Sequence, residues 1–503
     1  MSKAQSFSRR GFLRRSGWWA ATPLAAPHLI RSGDPLAQPG QSPRHIIMLI
    51  SDGMSAGTLT CADHLSQLTR GRGTVWMELF KHPRAHVGLM NMRSLDSMVT
   101  DSSAASSSWG SGSRIANGAV NVLPDGRALK PLYSILAEAG WKRGLVTTTE
   151  ITHATPAGFA ANDDSRGSAE NIARQYLERR VDVLLGGGQK FYDPQKRKDK
   201  ADLWQEYRAA GYCVMMAADD LKKAPPDQRW LGTFHESHLP FTVDHVHDAE
   251  LMAKVPTLPE MTRAALARLE KENHFILQVE GGRVDHGCHA CDAPAALYDQ
   301  LAFDEAIEVC LEFQKRSPET LVVITTDHGN GNLGLNGMGK NYADSSPLFA
   351  NLKSAKASFD AILKKLGTAP EITVIQEVIR EATGYSLSES KAALLVPFLA
   401  KKGETLYDLM NSASAQLGQL LANHWGIGWT GNAHTADYVN IVAIGPGAER
   451  FRGFIQNTDV FHKFLALAEI DFKNPEVPLK AKMEPNPGRH DAIAWHWRET
   501  HSA

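Results

Sequence analysis

The stretch His45-Ile-Ile-Met-Leu-Ile50, running straight into Ser51-Asp-Gly-Met54, is where the fold can be read. An apolar run of this length without polar alternation predicts a strand buried on both faces, the kind found in parallel sheets covered by helices. Asp52 then stands at the strand's carboxyl end, where open α/β sheets bind ligands. The same arrangement recurs along the chain. Gly144–Thr148 leads to Glu150-Ile-Thr-His-Ala-Thr-Pro156, and Val181–Leu185 leads to Gly186-Gly-Gly188. Phe275–Val279 delivers Glu280-Gly-Gly-Arg-Val-Asp-His-Gly-Cys-His289, and Leu321–Thr325 delivers Thr326-Asp-His-Gly-Asn330. Val439–Ile444 stops at Gly445-Pro446. Helical periodicity over Ser168–Arg180, Pro259–Leu269 and Ala293–Lys315 separates these runs, so the expectation is an α/β fold with a mostly parallel central sheet and helices on both faces.

One segment breaks the alternation. After a Gly/Asn loop at 329–340, residues 341–424 show helical periodicity and no convincing strand. Leu348, Leu352, Ala355, Phe359, Ile362 and Leu366 form one apolar face, and Val374, Ile375, Val378 and Ile379 another. Ser386-x-x-Glu389 reads as a capping box ahead of a helix over Ala392–Ala400. This block is expected to be a helical insertion over the sheet, with a lid, an oligomer contact and a structural cap all open. The expected organisation is an export signal and linker over 1–38 and a single catalytic domain over 39–503.

The 503 residues, 43% hydrophobic and 22% charged, suit a soluble globular enzyme. A formal net charge of −1 argues against a nucleic-acid or membrane-surface partner. Ser8-Arg-Arg-Gly-Phe-Leu13 precedes a weakly apolar run, Gly17–Ala26, that Pro23 interrupts; together they read as a twin-arginine signal, too short to span a bilayer. That predicts a periplasmic or secreted protein. Five cysteines exclude a complete disulfide framework. Cys288-His-Ala-Cys291 is a bridge, two buried thiols or a soft-metal pair on spacing alone, with a bridge or buried thiols preferred.

In Val99-Thr-Asp-Ser-Ser-Ala-Ala-Ser-Ser-Ser-Trp-Gly-Ser-Gly112, small residues follow an Asp-Ser pair into helix-compatible sequence. Ser102 is the candidate nucleophile, because an oxygen in a helix's first turn faces unpaired N–H groups and the positive end of the dipole. The strand ends carry the candidate metal ligands: Asp52; Glu280 with Asp285 and His289; Asp327 with His328. Thr155 and His434 join them. Carboxylates with imidazoles suit Zn²⁺, whereas carboxylates with a hydroxyl around Asp52 suit a harder ion such as Mg²⁺. Beside a serine, such a set points to multi-metal phosphoryl transfer.

These motifs carry a resemblance. Leu49–Met54, Val99–Ala105, His153–Pro156, Val279–His289, Thr326–His328 and His434-Thr435 stand in the order of the alkaline phosphatase family, over residues 44–330 and 428–468. The chain therefore resembles an alkaline phosphatase, which implies that family's sandwich fold. It further implies two zinc ions, one held by Asp285, His289 and His434, the other by Asp327, His328 and Asp52 with the Ser102 oxygen. Asp52, Thr155 and Glu280 would hold magnesium, and Arg166 would clamp phosphate through paired hydrogen bonds. The implied activity is hydrolysis of small-molecule phosphate monoesters through a phosphoserine, for phosphate scavenging outside the cytoplasm. A homodimer, as in many relatives, is left open.

Three departures stand out. Ala-Ala-Ser-Ser follows the serine pair where a small residue and Thr are commoner, Asn330 stands where many relatives have His, and His153 and His286 occupy variable positions. Histidine at both of the latter bears on the third metal's identity. A phosphodiesterase of the same superfamily is the rival enzyme, since it keeps two zincs without the third metal and clamp. A sulfatase lacks support because no Pro-x-Arg follows Ser102. The remaining alternative is an exported phosphate- or metal-binding protein without turnover.

Overall fold

The computed structural model describes residues 42–479, so the expected export signal lies outside the described residues. Among the described residues fourteen strands occur in chain order. They are β1 His45–Ser51, β2 His86–Asn91, β3 Lys142–Glu150, β4 Val183–Gly187, β5 Tyr212–Met215, β6 Arg229–Thr233 and β7 Phe275–Gly281, followed by β8 Thr320–Thr325, β9 Gly329–Asn330, β10 Gly334–Leu335, β11 Ile427–Gly428, β12 His434–Thr435, β13 Val439–Ile444 and β14 Gly453–Gln456. Ten form one sheet, ordered β14-β2-β13-β8-β1-β7-β3-β4-β6-β5. Only β13 runs against its neighbours, which confirms the mostly parallel α/β expectation.

Every residue of β1, β7 and β8 is buried, as their unbroken apolar runs require. Ile46, Met48 and Ile50 share one core with Ala105, Trp109 and Phe159 from helices on that face. The helix Ala293–Arg316 packs across β1, β7 and β8. Ile50 is registered with Glu280 on one side and with Thr325 on the other, so Asp52, Glu280 and Asp327 leave the sheet at one level.

The serine-rich run forms the helix Ser102–Ser111, with all ten residues buried. It lies against Ala154–Ala160 so closely that a Cβ on Gly110 would stand 1.8 Å from Gly158 O. Small residues are required there by backbone contact, and the run is a packed helix instead of a flexible loop.

Between β10 and β11 every element is helical. Phe349, Leu352, Phe359, Ile362, Ile375, Val378 and Ile379 pack with Leu417, Leu421 and Trp425, against Cys61, Ala62 and Leu65 of the Ala56–Arg70 helix. Two details differ from expectation. Val374 is 42% exposed, off the apolar face assigned to it. The cap is Ser388, accepting from Lys391 N, and the single helix expected over Ala392–Ala400 is two short ones, Glu389–Ala393 and Val396–Leu399, with Pro397 opening the second. All five cysteines are free thiols, with Cys288 and Cys291 buried, so the bridge alternative does not form. Among the described residues no helix is long and apolar enough to cross a membrane.

Candidate metal centre

The carboxyl ends of β1, β7 and β8 bring their acids together through tight backbone contacts. After Asp52 the chain turns at Gly53 (φ +68°), where a Cβ would stand 2.3 Å from Asp285 Oδ1; the turn therefore needs glycine both for its conformation and for space. Gly53 N donates to Asp327 Oδ1 at 3.0 Å and Met54 N to Thr326 Oγ1 at 3.0 Å, tying β1's end to β8's. The helix Arg283–His289 after β7 sets Asp285 and His289 four residues apart, on one face. His434 arrives from far along the chain because β12 pairs with β9, in a register that opposes His434 to Asn330.

Three donor sets result: Asp285, His289 and His434; Asp52, Asp327 and His328; Asp52, Glu280 and His153, each with ligand atoms within 4.8 Å of one another. His289 Nε2 lies 3.2 Å from Asp285 Oδ2 and 3.1 Å from His434 Nε2, which is 3.7 Å from Asp285 Oδ1. His328 Nε2 lies 3.2 Å from Asp327 Oδ2, 3.5 Å from Asp52 Oδ1 and 3.2 Å from Ser102 Oγ. Thr155 Oγ1 donates to Asp52 Oδ2 at 3.4 Å, and Glu280 Oε2 accepts from Thr147 and Thr149.

The donors fit divalent cations. His289 Nδ1 faces Asn432 O at 2.7 Å and His434 Nδ1 faces Thr100 O at 2.9 Å. A carbonyl only accepts, so each Nδ1 carries the proton and each Nε2 presents a lone pair. Two such lone pairs face each other beside a carboxylate, an arrangement that is repulsive until a cation lies between them. Asp52, Glu280, Asp285 and Asp327 are fully buried, and Asp52 Oδ1, Glu280 Oε1, Asp285 Oδ2 and Asp327 Oδ2 accept no hydrogen bond. The imidazole nitrogens 3.2–3.5 Å from three of these oxygens are close but not aligned as donors. Burying such acids costs several kcal/mol each unless cations compensate.

The resulting pKa shifts follow from the same crowding. Burial, then Asp327, Asp285 and Glu280, push Asp52 well above the usual carboxylate range. Burial takes Glu280 up to about 7. Burial, reinforced by His328, takes His434 down to about 3.

Ser102 opens its helix, and Asp101 caps it by accepting from Ala104 N at 2.8 Å. Asp101 Oδ2 also accepts from Ser103 Oγ at 2.7 Å, Gly118 N at 2.9 Å and Arg166 Nη1 at 3.1 Å. Arg166 Nη2 reaches His153 Nε2 at 3.3 Å. Burial raises the Asp101 carboxyl, yet Arg166 and these donors leave it below its ordinary value. The guanidinium is thereby fixed on the serine's side of the cluster.

All ten residues singled out in the sequence converge here. Sequence reasoning noted His153 and Asn330 only as departures from the family's pattern, and it missed Asp101 and His238. His153 joins Asp52 and Glu280, Asp101 orients Arg166, and Asn330 Nδ2 donates to Asp285 Oδ1 at 2.6 Å. His238 packs with its ring centroid 4.5 Å from that of His286 and 5.7 Å from that of His153. His238 follows β6, whose short run offered no signal.

A family model described as alkaline phosphatase matches residues 43–470. Alkaline phosphatase 4 of Bacillus subtilis is 31% identical over 425 residues, 83% of this chain and 87% of that protein. The repressible alkaline phosphatase of Saccharomyces cerevisiae is 30% identical, over 80% of this chain and 75% of its own. The crystal structure of Thermus thermophilus alkaline phosphatase superposes with a TM-score of 0.81 at 35% identity, covering 87% of this chain and 94% of that one.

Proposed function

The chain belongs to the alkaline phosphatase family of phosphoric monoester hydrolases, and on that premise we propose that Ser102 carries a transient phosphoryl group at a site for two zinc ions and one magnesium ion. Asp285, His289 and His434 would hold one zinc, Asp52, Asp327 and His328 the other, and Asp52, Thr155 and Glu280 the magnesium, with His153 beside the third set. When bound, these ions neutralise the phosphate dianion and lower the pKa of oxygens they touch. The observation that carries the reading is the convergence of carboxylate oxygens lacking hydrogen bonds and two Nε2 lone pairs within reach of a helix-start serine.

The chain's own groups divide the work. Arg166, aimed by Asp101, holds phosphate oxygens by paired N–H donors. Ser102 Oγ loses its proton and forms a bond to phosphorus as the P–O ester bond breaks, and the departing alcohol oxygen takes up a proton in its place. Water then displaces the serine oxygen and releases phosphate, so two displacements retain configuration at phosphorus. The buried N-terminus of the Ser102–Ser111 helix stabilises negative charge on that oxygen.

We place the chain outside the cytoplasm after twin-arginine export, where it scavenges phosphate, and read 39–503 as one catalytic domain with the helical block over residues 341–424 as its cap. Pairing into a homodimer is compatible with this reading. The third donor set and Arg166 favour monoesters over diesters. Acid-quenched protein, loaded with zinc and magnesium and incubated with a monoester, should carry phosphate on Ser102, and Ser102→Ala should not. Label elsewhere, or diester turnover equal to or faster than monoester turnover, would overturn the proposal.

A further inference from the structure

The exposure of the donor residues shows where the site opens. Asp285, Asp52 and His328 side chains are at most 1% exposed, whereas His434 is 12%, Asp101 11% and Arg166 8%. A phosphate ester seated among them directs its organic group outward on the side of His434, Asp101 and Arg166.

Two segments adjoining the backbone that supports His434 and His289 expose large apolar side chains. Thr100, whose carbonyl accepts from His434 Nδ1, lies two residues after Met98, which is 70% exposed. On the other segment, the loop before the Ala413–Trp425 helix exposes Leu406 fully, Tyr407 by 50% and Leu409 by 40%. This loop is anchored and has a defined position. Met410 is buried with Cys291 and Ala415, and Gln416 Nε2 donates to Met410 O at 2.8 Å. Tyr407 and Leu409 overlie Gly431, where a Cβ would stand 3.5 Å from Tyr407 Oη and 3.5 Å from Leu409 Cδ1. The next residue, Asn432, supplies the carbonyl that orients His289. Trp429, partly buried, packs against the same anchor.

The geometry points to an apolar rim, formed by Met98 on one segment and by Leu406, Tyr407 and Leu409 on the other, that binds the organic group of hydrophobic phosphate monoesters. The inference rests on the phosphomonoesterase reading and names its preferred substrate class: long-chain alkyl or aryl esters over polyol or sugar esters. Large apolar side chains left in water beside a polar cluster give an entering apolar group surface to bury. The rim side chains lie outside the folded core, so their replacement tests binding without disturbing packing.

The test is calorimetric binding of octylphosphonate and methylphosphonate to the metal-loaded protein, which share a headgroup and differ only in chain. The protein should bind octylphosphonate on the order of tenfold or more tighter. In the Leu406→Ser, Tyr407→Ser, Leu409→Ser variant that preference should collapse by about tenfold, and Met98→Ser should lower it independently. An unchanged preference in both variants, or none in the unaltered protein, would overturn the rim. Turnover of octyl phosphate and glycerol phosphate, two alkyl esters with similar leaving groups, is followed in parallel. Failure to hydrolyse either would sink the phosphomonoesterase reading while the binding ratio still judges the rim.

Discussion

Asn330 donates its amide to Asp285 Oδ1 at 2.6 Å while its backbone is paired with His434, so one residue holds two members of the first donor set. Its Nδ2 also lies 3.3 Å from the Asp285 carbonyl, which aligns the amide along that residue. Partners of this kind orient metal ligands and tune affinity. Asn330→Ala should weaken zinc binding by the Asp285, His289 and His434 set by roughly 10–100-fold, and Asn330→Asp, which sets two carboxylates against each other, should weaken it further. Chelator competition with the metal-free protein reads this without recourse to activity; equal affinities would refute it.

Arg166 spans Asp101 at 3.1 Å and His153 at 3.3 Å with two different nitrogens. A lysine has the charge without the planar fork. Arg166→Lys should lower kcat/KM by about 10–100-fold, with inorganic phosphate inhibiting less strongly, while the melting temperature stays close to that of the parent. Steady-state kinetics with phosphate as inhibitor checks both parts.

Gly158 is pressed onto the serine helix: a Cβ there would stand 2.4 Å from Ser106 Oγ and 2.7 Å from the Ser106 carbonyl carbon. The backbone atom cannot rotate away, so Gly158→Ala must push the helix that carries Ser102. A stability loss of about 1–3 kcal/mol in denaturant unfolding is expected, together with a fall in activity. A variant as stable and active as the parent would mean the two helices separate at no cost.

Metal removal should act on folding as well as on turnover. With four buried acids in one cluster, each site saturated 100-fold above its Kd adds about 2.7 kcal/mol to the folded state. Dialysis against a chelator should abolish hydrolysis and lower the thermal midpoint, and zinc with magnesium should restore both. An unchanged midpoint would show that the acids are compensated some other way.

At the opposite end of β1, His45 stacks on Phe275 at 4.3 Å, and burial, aided by Arg44, lowers its pKa to about 4. The folded state therefore keeps His45 neutral at pH values where the unfolded chain, with a pKa near 6.5, is already protonated. Its contribution is complete above pH 6.5 and is lost as pH falls from 6.5 to about 4. Because Arg44 and Glu319 are solvated, the loss should be on the order of 1–2 kcal/mol instead of the ~3 kcal/mol of full linkage. The difference in unfolding free energy between the parent and His45→Gln should narrow across that window; a constant difference would refute the shift.

The chain's local pattern was enough to determine its central strands and the residue types at their ends. β1, β7 and β8 are buried on both faces, which makes their sequences uniformly apolar, and the acids and imidazoles that follow them cannot be packing residues. The outer strands β2, β5, β6 and β14 were not read, because short strands such as half-exposed β2, with Val87 and Leu89 outward, carry a weak signal. The meeting of His434 with His289 was implied only by the family resemblance, and the tertiary structure alone decided that Asn330 grips Asp285 and that His238 joins His153 and His286. Those pairings join residues brought together by strand register and helix packing, and no spacing along the chain encodes which distant side chains will share a point in space.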